Sequence, residues 1–186
     1  MLTHCGTRPM ETGRLLLRRF TLADAEAVFK IWAGDAQVQT MLAEPVYETP
    51  QQVRGLLERY IAAYGREDVY RWAVIEKQSG LCIGQIAFFL VDSKNHFAEI
   101  EYCIGRAFQN RGYATEATKA VIAYGFHEIG LHKIQICTMT NNAPSKRVIE
   151  KCGFTYEGTL RDYFYTADGY VGRHYFSMLE SEYRNR

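Results

Sequence analysis

The amino-acid sequence predicts an α/β domain, a mixed central sheet flanked by helices in the chain order β-α-α-β-β-β-α-β-α-β-β. Two observations carry this expectation. Three strand-like runs in the middle of the chain, 71–77, 81–91 and 97–105, follow one another across short polar turns, as a meander does. The later strand-like runs are instead reached through helical segments, with a last pair joined at a hairpin-like turn.

The elements follow in order. "RLLLRRF" (14–20) reads as a first strand. In "TLADAEAVFKIWA", Thr21 or Asp24 can cap a helix whose apolar face holds Ala25, Val28, Phe29 and Trp32. In "ETPQQVRGLLERYIAAY", Thr49 is the expected cap and Pro50 the first helical residue, and Val53, Leu56, Leu57, Tyr60 and Ile61 form the stripe. "RWAVIEK" and "LCIGQIAFFLV" flank "QSG", a hairpin signal, and "FAEIEYCIG" follows the turn "DSKNH". A helix is expected over 115–129, then the strand "KIQICTM" (133–139). "TNNAPSKRVIEKCGF" reads as a turn, a capped short helix and a stop at Gly153. "TYEGTLRDYFY" and "GRHYFSML" are strands joined at "ADG".

With 186 residues the chain suits one domain, 1–186, of which 1–13 is expected to be a poorly ordered N-terminal extension. A net charge of +1 gives no general pull toward nucleic acid or a membrane surface. No apolar run approaches the roughly 18 to 20 residues of a membrane span, and "MLTHCGTRPMETG" lacks the pattern of a signal peptide. Cys5, Cys82, Cys103, Cys137 and Cys152 are odd in number, scattered and without a C-x-x-C pair, which favours reduced thiols and a cytoplasmic location. Cys82, Cys103 and Cys137 lie in apolar runs and read as small buried hydrophobes. The five histidines form no H-x-x-x-H spacing, and no metal is expected.

The segment "QNRGYATEA" (109–117) stands between a strand-like and a helix-like run. It contains neither the three glycines of a dinucleotide fingerprint nor the G-K-[ST] ending of a P-loop. What remains is Q-x-x-G-x-A at the mouth of a helix. A helix start carries unsatisfied N–H groups and a partial positive charge, and small residues let an anion approach them. Gly112 and Ala114 suit that purpose, and Arg111 adds charge. An ordinary strand-to-helix turn with a glycine for its backbone angle accounts for the segment equally well.

Three motifs in order decide between these. Gln109-Asn110-Arg111-Gly112-Tyr113-Ala114 is followed by "TEA", then by Asn142-Ala143-Pro144-Ser145, then by Glu150-Lys151-Cys152-Gly153-Phe154. Together with the opening "ETGRLLLRRFTLADAEAVF", this set resembles the GNAT acetyltransferase superfamily, particularly its RimJ/RimL-like branch, which acetylates protein N-termini. The resemblance spans almost the whole chain.

That resemblance implies a GNAT-like fold in which two parallel strands, here "EIEYCIG" and "KIQICTM", splay apart to admit acetyl-CoA. The main chain near Tyr102, Cys103 and Ile104 would hold the pantetheine arm. The turn Gln109, Asn110, Arg111, Gly112, Tyr113, Ala114 and Thr115 would receive the pyrophosphate. Asn142 and Ser145 would face the cofactor, although either is equally a helix cap. The implied activity is direct acetyl transfer to a primary amine: a protein or peptide N-terminus, or alternatively a small amine such as a polyamine or aminoglycoside. A non-catalytic CoA-binding regulatory module is the remaining alternative. A monomer or a homodimer is expected.

Glu99 and Glu101 are the candidate bases. Strand alternation puts both on one face, opposite Ile100 and Tyr102, and buried carboxylates are costly unless paired or functional. Glu99 matches the acid usual in the branch's "AEIGY"-type strand, and Glu101 replaces a residue commonly glycine there. Many superfamily members carry a tyrosine just before the E-K-x-G-F ending, but this chain has Ile149. A tyrosine acid at that position is excluded, and the resemblance to RimL-like enzymes implies Ser145 as the better candidate to hydrogen-bond the departing sulfur. On the acceptor side, Tyr163 and Tyr165 of the last hairpin are candidate cleft residues, and Glu44, Glu48 and Asp162 are available to attract a cation.

Overall fold

A computed structural model describes residues 1–167 and 169–185. The strands are β1 (Met10–Glu11), β2 (Leu15–Arg18), β3 (Tyr70–Glu76), β4 (Cys82–Asp92), β5 (Phe97–Ile104), β6 (Lys133–Met139), β7 (Thr155–Thr166) and β8 (Gly169–Leu179). They form one sheet in the order β1-β2-β3-β4-β5-β6-β8-β7. Only β5 and β6 run parallel among the strand pairs of the described residues. The expected mixed α/β architecture is therefore present.

The helices are α1 (Ala25–Val28), α2 (Ala36–Leu42), α3 (Pro50–Ala63), α4 (Tyr113–Tyr124), α5 (Ala143–Cys152) and α6 (Glu180–Arg184). Phe29–Ala33 and Gly125–Ile129 extend α1 and α4 as π-helical turns. The caps expected from sequence are in place. Thr49 accepts from the Gln52 N–H ahead of Pro50, and Gly153 ends α5 in a left-handed conformation with φ 84°. Three elements were not expected: β1, α2 and α6. β1 and α6 span only two and five residues, and α2 only seven, too short for a periodic stripe to show.

Both faces of the sheet are covered. On one face α4 and α5 pack Val121, Ile122 and Ile149 against Ile83, Ile86, Ile100 and Ile134. On the other, α1 and α3 pack Val28, Trp32, Val53 and Leu57 against Ala73, Ile75 and Cys103. Full burial of each such aliphatic side chain contributes about 1.5–3 kcal/mol. These two faces become the two sides of the site.

The expectation of a loose extension over 1–13 needs correction. The Thr3 N–H reaches the Ile129 carbonyl and the Gly6 N–H the Glu67 carbonyl. Thr7 Oγ1 donates to the Val69 carbonyl, and the Trp72 indole and Tyr124 hydroxyl donate to the carbonyls of Arg8 and Gly6. Met10–Glu11 then pairs with β2. The buried Trp72 indole and Tyr124 hydroxyl find their carbonyl acceptors in this segment, which explains why it is held.

Candidate active site

The site begins where the sheet opens. β5 and β6 pair in parallel from Phe97↔Lys133 to Ile100↔Ile136, and there the ladder stops. Yet β5 continues to Ile104 along β4, and β6 to Met139 along β8. The strands part, and a cleft of about 690 Å³ occupies the gap.

Register decides which main-chain groups face it. The Gly105 N–H bonds the Ile83 carbonyl at 2.8 Å. Antiparallel alternation therefore directs the main chain of Cys103 and Glu101 at β4, and that of Tyr102 and Ile104 toward the gap. The Gln109 side chain already donates to the Ile104 carbonyl at 2.8 Å. Of the three residues expected to offer main-chain groups, Tyr102 and Ile104 do so. Cys103 does not, because β4 uses its main chain; its side chain is buried on the α1–α3 face, where burial raises the thiol pKa strongly.

The turn after β5 leads the chain to one mouth of the cleft. Asn110 and Gly112 are both left-handed, with φ 60° and 83°. Gly112 is the residue before α4, whose first internal bond runs from the Glu116 N–H to the Gly112 carbonyl. The N–H groups of Tyr113, Ala114 and Thr115 are thus left over, and all three residues line the cleft, as do Gln109, Asn110 and Gly112. A Cβ on Gly112 would meet Arg14 Nη2 at 3.3 Å, and the backbone there already disfavours any side chain. Arg111 is not among the lining residues; its carbonyl accepts from Arg14 and its guanidinium lies over the Phe108 ring. The helix itself starts at Tyr113, two residues ahead of the expected position, and the Tyr113 hydroxyl donates to Glu76.

Across the gap, Asn142 caps α5: its Oδ1 accepts from the Ser145 N–H at 3.1 Å. Ser145 Oγ accepts from the Tyr102 hydroxyl at 3.1 Å. Both residues line the cleft, so capping and facing the cleft coexist. Arg147 and Lys151, one and two turns along α5, line the same mouth. They went unnoticed in the sequence because an exposed, basic short helix has many explanations.

The opposite mouth is acidic and aromatic. Glu101 lines the cleft and pairs with Arg71 at 2.7 Å; Arg71 also donates to Gln85 and lies over the Tyr60 ring, 4.4 Å from its centroid. Glu44 lines it too, and burial, with the Glu101 charge second, raises its carboxyl above the usual range. Glu99 is 4% exposed and not among the lining residues. Its carboxylate takes Arg173 Nη2 at 2.5 Å, so Arg173 stands between Glu99 and the cleft. Cys137 lies beside this pair, and burial pushes its thiol up to about 12, which argues against a nucleophilic thiolate.

The hairpin residues divide in the same way. The Tyr163 hydroxyl accepts from Arg173 Nη1 at 2.8 Å and reaches the site through it. Tyr165 is 80% exposed, its ring against Tyr170 rather than the cleft. Phe164 lines it, as does Arg173 on the other strand of the hairpin. A bulge between Leu160 and Phe164 turns the phenylalanine inward, and strand alternation alone could not place that bulge.

The sheet is thus parted between two parallel strands, and the open helix start at one mouth leaves N–H groups that suit an anion. Residues 14–155 match the model of the acetyltransferase (GNAT) domain, and the chain belongs to that family. It is similar to the uncharacterized N-acetyltransferase YoaA of Bacillus subtilis, 34% identical over 84% of this chain and 88% of that one. Over a shorter stretch, 56% of this chain and 57% of the other, it is 35% identical to the putative ribosomal N-acetyltransferase YdaF of Bacillus subtilis. Among solved structures, a GNAT-family acetyltransferase from Bacillus anthracis superposes with a TM-score of 0.82 at 30% identity, covering 94% of this chain and 100% of that one. The chain is accordingly an acetyl-CoA-dependent acetyltransferase.

Proposed function

We propose that the protein moves the acetyl group of acetyl-CoA directly to the α-amine of a protein or peptide N-terminus, as RimJ/RimL-like enzymes do. The observation that carries this reading is the end of the β5–β6 ladder at Ile100–Ile136, which joins the two faces of the sheet through one cleft. In this reading the α4–α5 side holds the donor. The N–H groups of Tyr113, Ala114 and Thr115 bind the pyrophosphate, with Gln109, Asn110 and Gly112 shaping the turn and Arg111 adding charge. The main chain of Tyr102 and Ile104 holds the pantetheine arm and supplies an N–H to the oxyanion. Asn142 and Ser145 complete that wall, with Ser145 nearest the departing sulfur. Bound acetyl-CoA supplies the activated thioester.

The α1–α3 side receives the amine. Glu101 reaches the cleft and takes the role of proton acceptor, directly or through water. Glu99 acts through Arg173, which it holds in place. Phe164, together with Tyr163 behind Arg173, forms the acceptor wall. An α-amine, with a pKa of about 7.7–8.0 against about 10.4 for lysine, offers far more neutral nucleophile near pH 7.5. The likeness to YdaF points the same way. A small polyamine is the second reading, favoured by the two carboxylates of Glu44 and Glu101 at this mouth.

The test is free-thiol release from acetyl-CoA across N-terminal peptides, polyamines, aminoglycosides and amino acids. Peptides are expected to drive release, and Glu101→Gln to lower kcat by about 10²–10⁴. Release driven by polyamines and not by peptides overturns the assigned acceptor. An unchanged kcat in Glu101→Gln overturns the assigned base.

A further inference from the structure

The hydroxyl of Tyr102 is not accounted for by the main-chain role of its residue. The ring leaves β5 on the α4–α5 face and spans the parted strands to reach α5. There the phenol donates to Ser145 Oγ at 3.1 Å. The serine is fixed from a second direction, because Asn142 Oδ1 holds its N–H. Ile149, one turn further along α5, is fully buried in the core and sends no hydroxyl to the cleft. Among the described residues, no acceptor takes the Ser145 hydroxyl proton, while its oxygen already receives the phenol's hydrogen bond.

We propose that Tyr102 is a positioning residue for acetyl transfer, its phenol donating to Ser145 Oγ so that the serine's own proton is aimed into the cleft at the departing sulfur. This rests on the acetyl-transfer reading above. A hydroxyl that accepts a hydrogen bond is polarised into a better donor. The bond also removes the serine rotamers in which its proton turns away. Burial pushes the phenol up to about 12, which keeps it protonated and donating over the working pH range. As the C–S bond breaks, the electron pair goes to sulfur and Ser145 donates a hydrogen bond to the thiolate. The phenol keeps its proton throughout. A thiolate whose conjugate thiol has a pKa of about 8.5 is too weak a base to take it, so the arrangement stabilises charge rather than relaying a proton.

The experiment is a double-variant cycle on steady-state kinetics with whichever acceptor drives wild-type thiol release. Tyr102→Phe keeps the ring and removes only the hydroxyl. It is expected to lower kcat about tenfold, the scale of one hydrogen bond, with the KM for acetyl-CoA changed less than about twofold. In a Ser145→Ala background the same change is expected to have no further effect on kcat. A wild-type kcat in Tyr102→Phe overturns the proposal. So does an equal loss in the two backgrounds, since that loss would not run through the serine. A matching rise in KM with kcat unchanged also overturns it, because that marks a wall of the donor site. If wild type releases no thiol with any acceptor, the acetyl-transfer reading fails and this inference with it, whereas an active wild type with an unaffected variant removes this inference alone.

Discussion

Glu99 and Arg173 illustrate what a single pair does in this molecule. Both are at least nine-tenths buried, at 4% and 9% exposure, and they meet at 2.5 Å. Neither charge could remain there alone, because removing one partner strands the other in a medium that solvates it poorly. The guanidinium is further enclosed by the rings of Tyr163, Phe164 and Tyr175. Arg173→Met is therefore expected to destabilise the fold by about 3–5 kcal/mol in urea unfolding. Adding Glu99→Gln should recover much of that loss, since the orphaned charge is then gone. Recovery of none of it would show that the arginine acts by packing rather than by charge. The alternation that put Glu99 and Glu101 on one face was legible in the sequence, but their different fates were not. Arg173 is 74 residues away from Glu99 in the chain, and Arg71 is 30 away from Glu101. Only the sheet order brings each arginine to its acid.

At the level of elements, local chemistry sufficed wherever the signal lay within a few residues. Thr49-Pro50 starts α3, Asn142 starts α5 and Gly153 ends it, each through a bond to a near neighbour or a required backbone angle. The strand meander was equally legible from its apolar runs. What escaped was α2, although its cap is ordinary: Asp35 accepts from the Gln37 N–H at 2.9 Å. With seven residues it buries only Val38 and Gln39, too little for a helical period to stand out. The start of α4 joins both levels, since Gly112 must be left-handed and must also leave room beside Arg14. Gly112→Ala should cost about 1–2 kcal/mol, the penalty for a side chain in that region. It should also weaken acetyl-CoA binding in calorimetry. Lost stability with unchanged affinity would mean that the helix start is structural and that the phosphates lie elsewhere.

Across the whole molecule the sheet separates the α4–α5 face from the α1–α3 face, and the N-terminal segment ties the two together. Thr7 accepts from the Arg71 main-chain N–H while its own carbonyl accepts from Arg19. The guanidinium of that same Arg71 holds Glu101 at the acidic mouth of the cleft. At the far end Thr3 bonds the turn that closes α4, the helix whose start lines the cleft. Deleting residues 1–9 would leave the Trp72 indole and the Tyr124 hydroxyl without their carbonyl partners and Thr7's two bonds unmade. Each buried donor left unpaired costs about 1–3 kcal/mol. The truncated protein should therefore lose at least about 3 kcal/mol, seen as a melting point lower by about 6–12 °C. Acetyl-CoA affinity, measured well below that melting point, should change little, because none of the deleted residues lines the cleft. Activity toward the acceptor should fall further than affinity for the donor, since Arg71 loses its main-chain anchor while α4 loses only a bond at its closing turn. Equal losses on the two sides would instead mark the segment as a general clamp on the sheet, with no particular hold on the acceptor mouth.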